Sequence, residues 1–127
     1  MSPQGPRMLI ADDSPDYLSV LELMLDRVAN VDVVATAANG IDAVRLASEL
    51  DIDVALLDID MPGLDGFASA EAICRANPGT NVYLQTGQLR DDVRRRGETL
   101  GLFVFEKIDL IKNLELLSRV DAAKRAA

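Results

Sequence analysis

Short apolar runs alternate along this chain with segments whose apolar residues recur at helical spacing. Residues Arg7 to Ala11 predict a first strand. Ser14 then offers an N-cap and Pro15 a first helical position, and Leu18, Leu21, Leu25 and Val28 follow at helical intervals. Together they predict a helix over Pro15 to Ala29 with one buried face. Val31 to Ala37 predicts the second strand and Asn39-Gly40 a turn. The next helix is expected to bury Ile41, Val44, Ala47 and Leu50, with Asp42, Arg45 and Glu49 toward water. Ile52 to Leu57 predicts the third strand, and Gly66 to Ala76 a helix stopped by Asn77-Pro78-Gly79. Asn81 to Gln85 predicts the fourth strand, Leu89 to Thr99 a weaker, charged helix, and Leu102 to Glu106 the fifth strand. A closing helix is expected from Asp109 to about Arg125, with Leu110, Ile111, Leu114, Leu117 and Val120 as its apolar set.

Strict alternation of strand and helix predicts an α/β fold, a parallel sheet covered by helices on both faces. Right-handed crossovers place a ligand crevice at the carboxyl ends of the strands. Asp58 draws attention there, because it ends the uninterrupted apolar run Val54 to Leu57. A charge at the edge of a core is costly unless a cation, a proton or a covalent group neutralises it.

Composition narrows the chemistry. The 127 residues suit one domain, 49% apolar content suits a packed core, and no apolar stretch approaches a membrane span. Residues 1–6 read as a mobile tail rather than a signal peptide, leaving 7–127 as the domain. Cys74 is the single cysteine, so no internal disulfide is expected, and a cytoplasmic location fits. It reads as a core filler. A formal charge of −8 disfavours nucleic acid and anionic membrane as partners. With no histidine there is no Ser-His-Asp triad, Cys-His pair or imidazole acid–base group. Any metal would sit on oxygen ligands.

The residues just after the strands carry the candidate chemistry: Asp12-Asp13 after the first, Asp58 after the third, Thr86-Gly87 after the fourth and Lys107 after the fifth. If the first and third strands are neighbours, three carboxylates converge and repel one another. A hard divalent cation such as magnesium relieves that repulsion, with the backbone carbonyl of Asp60 as a further ligand. With Asp58 as nucleophile, Lys107 as counter-charge and the Thr86 hydroxyl as a donor to an equatorial oxygen, these parts suit phosphoryl transfer.

This set resembles the receiver domain of two-component response regulators, in Asp12-Asp13, in the loop Asp58, Met61-Pro62 and Asp65-Gly66, and in Thr86 and Lys107. The resemblance spans about Arg7 to Ala123. It implies a flavodoxin-like doubly wound sheet of five parallel strands, order 2-1-3-4-5, with five helices. It further implies that Asp58 accepts phosphate from a histidine kinase or phosphotransfer protein. Asp13 and Asp58 would ligand Mg2+, Asp12 would assist through water, and Lys107 would pair with Asp58 or the phosphoryl group. Thr86 would move toward a phosphoryl oxygen. Such a domain is a signalling module with at most slow autodephosphorylation. It would act through protein contacts with a downstream target, as a monomer or a phosphorylation-dependent dimer, with no output domain after the closing helix.

The chain departs from that pattern near the fifth strand. Ile108 replaces the usual proline, so no cis bond is expected after Lys107. The stretch Gly101 to Lys107 is one residue short, Gly87 replaces an alanine, and Val104 replaces the switch aromatic between Phe103 and Phe105. Three other readings stand beside this one. A haloacid-dehalogenase-type phosphatase would use Asp58 and Asp60, but its nucleophile normally follows the first strand. A flavin carrier needs a phosphate-cradling loop where this chain has acidic Asp12-Asp13. A degenerate receiver would only bind partners. Asp91-Asp92 reads as helix-start charge, Arg94 to Arg96 as a solvated face, and Lys112, Glu115 and Arg119 as surface pairs.

Overall fold

Each of the five apolar runs becomes a strand of one parallel sheet in the computed structural model, which describes residues 5–28 and 30–113. The strands are β1 (Arg7–Ala11), β2 (Asp32–Ala37), β3 (Val54–Asp58), β4 (Asn81–Thr86) and β5 (Phe103–Glu106). Their order is β2-β1-β3-β4-β5, as the resemblance implies. Between them run α1 (Pro15–Val28), α2 (Gly40–Glu49), α3 (Gly66–Ala76) and α4 (Asp91–Leu100). A 3-10 turn over Lys107–Asp109 leads into residues 110–113, the first turn of the fifth helix. The expected apolar set Leu114, Leu117 and Val120 lies outside the described residues, as do Glu115 and Arg119.

Two cores flank the sheet, one on each face. Leu9, Ala55, Leu57 and Leu84 meet α2 and α3 through Ala43, Ala47, Phe67, Ala70 and Ile73. Met8, Ile10, Val54 and Leu56 meet Leu21 and Leu25 of α1, with Phe105 and Leu110. β3 is buried along its whole length, as a central strand covered on both sides must be. The order reverses between β1 and β3, so their carboxyl ends open the crevice.

Local chemistry sets the helix starts. The Tyr17 N–H donates to Ser14 Oγ at 3.2 Å, Asp42 N–H to Asn39 Oδ1 at 2.8 Å, and Ala68 N–H to Asp65 Oδ1 at 2.8 Å. Asn39 is therefore a cap and not a turn residue. α2 approaches α3 so closely that a Cβ on Gly40 would collide with the Leu64 carbonyl oxygen. That contact turns Ala43 and Ala47 inward and leaves Ile41 64% exposed, which corrects its expected burial.

Strand ends differ from expectation in a consistent way. The ladder of β3 starts at Val54 and takes in Asp58, which pairs with Gln85, and β4 takes in Thr86, which pairs with Glu106. The next link, Ile59 N–H to Gln85 O at 3.0 Å, continues the pairing. α4 begins at Asp91 and not at Leu89, because the Leu89 N–H is held by Glu106 Oε1 at 3.2 Å. Gly5 and Pro6, read as tail, are buried, and the Pro6 carbonyl accepts from Asp32 N–H at 2.8 Å. Residues 1–4 lie outside the described residues.

Candidate functional site

The crevice is built from three strand ends. Asp12 follows β1 one step beyond the Ala11–Leu57 pair, which sets it beside Asp58 at the end of β3. Its backbone N–H is tied to Ala37 O of β2 at 3.0 Å, and its Oδ1 accepts from Ser14 N–H at 2.9 Å. Asp12 and Asp58 are buried and Asp13 is exposed. Each of the three places a carboxylate oxygen within 4.8 Å of the other two. Asp58 owes part of its setting to Gly66, since a Cβ there would press on the Asp58 carbonyl. The loop after β3 turns back through a Gly66 N–H bond to Ile59 O at 2.9 Å.

Lys107, just past β5, supplies the counter-charge. Its Nζ lies 2.6 Å from Asp12 Oδ2 and 3.6 Å from Asp58 Oδ2. The tighter partner is Asp12, whereas the sequence pointed to Asp58 or a phosphoryl group. Burial, and then the Asp12 charge, push the Asp58 carboxyl up to about 6, against the opposing pull of Lys107 and of the Asp60 N–H at 3.4 Å. Burial alone would lower the Lys107 ammonium, but its bond to Asp12 and the Asp58 charge hold it above its ordinary value.

Thr86 and Asp60 stand further from the cluster's chemistry. Thr86 is buried, but its hydroxyl is turned into its own loop, donating to Gln88 O at 3.3 Å and accepting from Gln88 N–H at 3.4 Å. The Asp60 side chain is outside the carboxylate cluster. Two further residues reach the site that the sequence reading passes over. The Tyr17 ring lies under Lys107, with Nζ 4.4 Å from its centroid, and its hydroxyl donates to Gln85 Oε1 at 3.1 Å. The sequence signal for Gln85 was one polar residue closing the run Val82-Tyr83-Leu84. Arg94, Arg95 and Arg96 are exposed, as read from the sequence, and Arg96 also lies over the Phe67 ring at 4.4 Å, near Asp65 at 4.0 Å.

Three carboxylates around one ammonium form a hard, oxygen-rich donor set with an excess of negative charge. Burial first, and the Asp12 charge second, raise the Asp58 carboxyl even with Lys107 at 3.6 Å. A divalent cation of the magnesium type fits both facts.

Comparison with known proteins agrees with this geometry. The profile described as "Response regulator receiver domain" matches residues 8–109. A protein-glutamate methylesterase/protein-glutamine glutaminase 2 of Methanospirillum hungatei is 36% identical over 104 residues, covering 80% of this chain and 30% of that protein. The transcriptional regulatory protein LiaR of Bacillus subtilis is 34% identical over 86 residues, 68% of this chain and 41% of LiaR. The chain thus spans less than half the length of these relatives. Among solved structures, the response regulator domain of Thermotoga maritima CheB superposes with a TM-score of 0.77 at 27% identity, covering 93% of this chain and 99% of that one. The receiver domain of the putative regulator NarL from Mycobacterium tuberculosis gives 0.74 at 30% identity, covering 82% and 84%.

Proposed function

Because this chain belongs to the response regulator receiver family, we propose that it is a phosphoacceptor signalling domain and that Asp58 is the residue phosphorylated. The observation that carries the reading is the buried Asp58 carboxylate at the end of β3, with two further carboxylates and Lys107 around it. An Asp58 oxygen attacks phosphorus, and the bond from phosphorus to the donor's nitrogen breaks. An acyl phosphate forms on Asp58, and the donor imidazole leaves with the electron pair.

Asp13 and Asp58, with the Asp60 carbonyl, would hold Mg2+, which when bound neutralises charge on the carboxylates and the phosphoryl oxygens. Asp12 suits an assisting role, since its Oδ2 is already engaged by Lys107. Lys107 is near enough to Asp58 to follow new negative charge there, and Thr86 would exchange its Gln88 bonds for a phosphoryl oxygen. A phosphoryl group adds up to about two negative charges, enough to bias such a loop.

On this reading the phosphate comes from a histidine kinase or a phosphotransfer protein. Residues 7–127 act as one receiver, in the cytoplasm, as a monomer or phosphorylation-dependent dimer, and signal through a downstream protein. The methylesterase activity named for the relative from Methanospirillum is not carried over. Sustained turnover of the haloacid-dehalogenase kind is disfavoured by the position of Asp58 at the end of β3, the third strand in chain order. Incubation with acetyl phosphate and Mg2+, followed by intact-mass measurement, tests the reading. Wild type should gain one phosphoryl mass and Asp58→Asn none. No gain in wild type, or an equal gain in the variant, overturns it, and the first result would leave a receiver that only binds partners.

A further inference from the structure

Outside the acid cluster, one polar side chain lies against Lys107 and a second holds the first. Tyr17, on the first turn of α1, sets its ring 4.4 Å from Nζ, and Gln85 of β4 accepts the Tyr17 hydroxyl at 3.1 Å. Gln85 is fully buried. In the sheet it pairs with Asp58 on one side and Phe105 on the other. In-register neighbours of a parallel sheet project from the same face, so Asp58, Gln85 and Phe105 form one row. Tyr17, Tyr83 and Phe105 belong to the core on that face.

Gln85 is an unfavourable choice for packing alone. Its Nε2 finds no protein acceptor among the described residues. An apolar side chain would occupy this buried place without that unmatched donor. What the amide contributes is its Oε1, which holds the tyrosine. A lysine ammonium on a flexible four-carbon stem needs such a support to stay in one place, and an aromatic face attracts it electrostatically.

We propose that Tyr17 and Gln85 are positioning residues for Lys107. The Tyr17 ring is a shelf that keeps the ammonium at 2.6 Å from Asp12 and 3.6 Å from Asp58. Gln85 holds the shelf in place through the hydroxyl. The counter-charge is thereby already in position when Asp58 takes up a phosphoryl group. This inference rests on the reading of Asp58 as phosphoacceptor, but the placement of Lys107 is measurable without any phosphorylation.

The test uses the full chain labelled with carbon-13. In wild type the Lys107 Cε-attached protons should be shifted upfield by the Tyr17 ring current. Tyr17→Leu should remove that shift, and Tyr17→Phe and Gln85→Leu should each reduce it in the same direction. Gln85→Leu should melt no lower than wild type. The initial rate of phosphate gain from acetyl phosphate with Mg2+ should fall roughly three- to tenfold in Tyr17→Leu, the range of a partly desolvated cation–π contact. Lys107 resonances that coincide in wild type and Tyr17→Leu overturn the proposal, as does an unchanged rate in the folded variant. If Tyr17→Leu does not fold, Tyr17→Phe and Gln85→Leu decide, and unmoved Lys107 resonances in both overturn it. If wild type gains no phosphate, the phosphoacceptor reading has failed, and the resonances alone decide the placement.

Discussion

Asp58 occupies a place that penalises its own charge. It sits at the end of a fully buried strand beside Asp12, and its carboxyl is raised to about 6 from the ordinary 3.8. The sign follows from linkage: folding favours the protonated form, so the contribution of Asp58 to stability is complete below about pH 4 and is lost as pH rises through 6. In EDTA at pH 7.5, Asp58→Asn should therefore be more stable than wild type by about 1–3 kcal/mol, and the difference should vanish near pH 4. Urea denaturation at the two pH values checks this; a variant less stable than wild type at pH 7.5 would contradict it. The same site is readable from residue types only in part. Asp12, Asp13, Asp58 and Lys107 stand out as charges at strand ends, and they do converge. The partner preference of Lys107 for Asp12 does not stand out, because it depends on where the end of β5 lies relative to β1, with β3 and β4 between them in the sheet.

At the scale of elements, β5 and α4 show how alternation decides what a pattern leaves open. Val104 packs with the core of α2 and α3, whereas Phe105 is buried in the core of α1. Phe103 shares the face of Phe105, meeting Tyr83 edge-on at 5.9 Å between centroids and Phe105 at 5.8 Å. Neither phenylalanine therefore stands on the face that Val104 occupies, since neighbours along a strand point to opposite sides. α4 has little apolar surface: Gly97 is its buried residue, and Val93 packs partly against the core. Arg96 adds a fastening, through the Phe67 ring at 4.4 Å and Asp65 at 4.0 Å. Removing it in Arg96→Ala should cost about 0.5–1 kcal/mol, the size of an exposed cation–π contact. Hydrogen exchange should show the loss as faster opening of α4 with α3 unaffected. Equal acceleration in α3 would mean that Arg96 serves the whole core instead.

For the molecule as a whole, the acid cluster ties distant parts of the chain together. Asp12 and Asp13 follow β1, Asp58 closes β3 and Lys107 follows β5, so the complete site exists only in the folded state. A ligand of that site stabilises the fold by mass action, about 1.4 kcal/mol at tenfold excess over its dissociation constant. Adding millimolar MgCl2 at pH 7.5 should raise the melting temperature of wild type, and Asp58→Asn should lose most of the rise. An equal rise in both would place the cation elsewhere. The sequence by itself determined the alternation of strands and helices, because period-two and helical patterns are local. It also determined the acidic and basic residues at the strand ends, because charge after an apolar run is visible in one dimension. Through resemblance it carried the strand order as well. Only the tertiary structure decided the rest. It carried Asp58 and Thr86 into their strands, turned Ile41 outward, and put Tyr17 beneath Lys107 with its hydroxyl on Gln85. Those outcomes depend on close approach between elements far apart in the chain, and such contacts leave no period in a sequence.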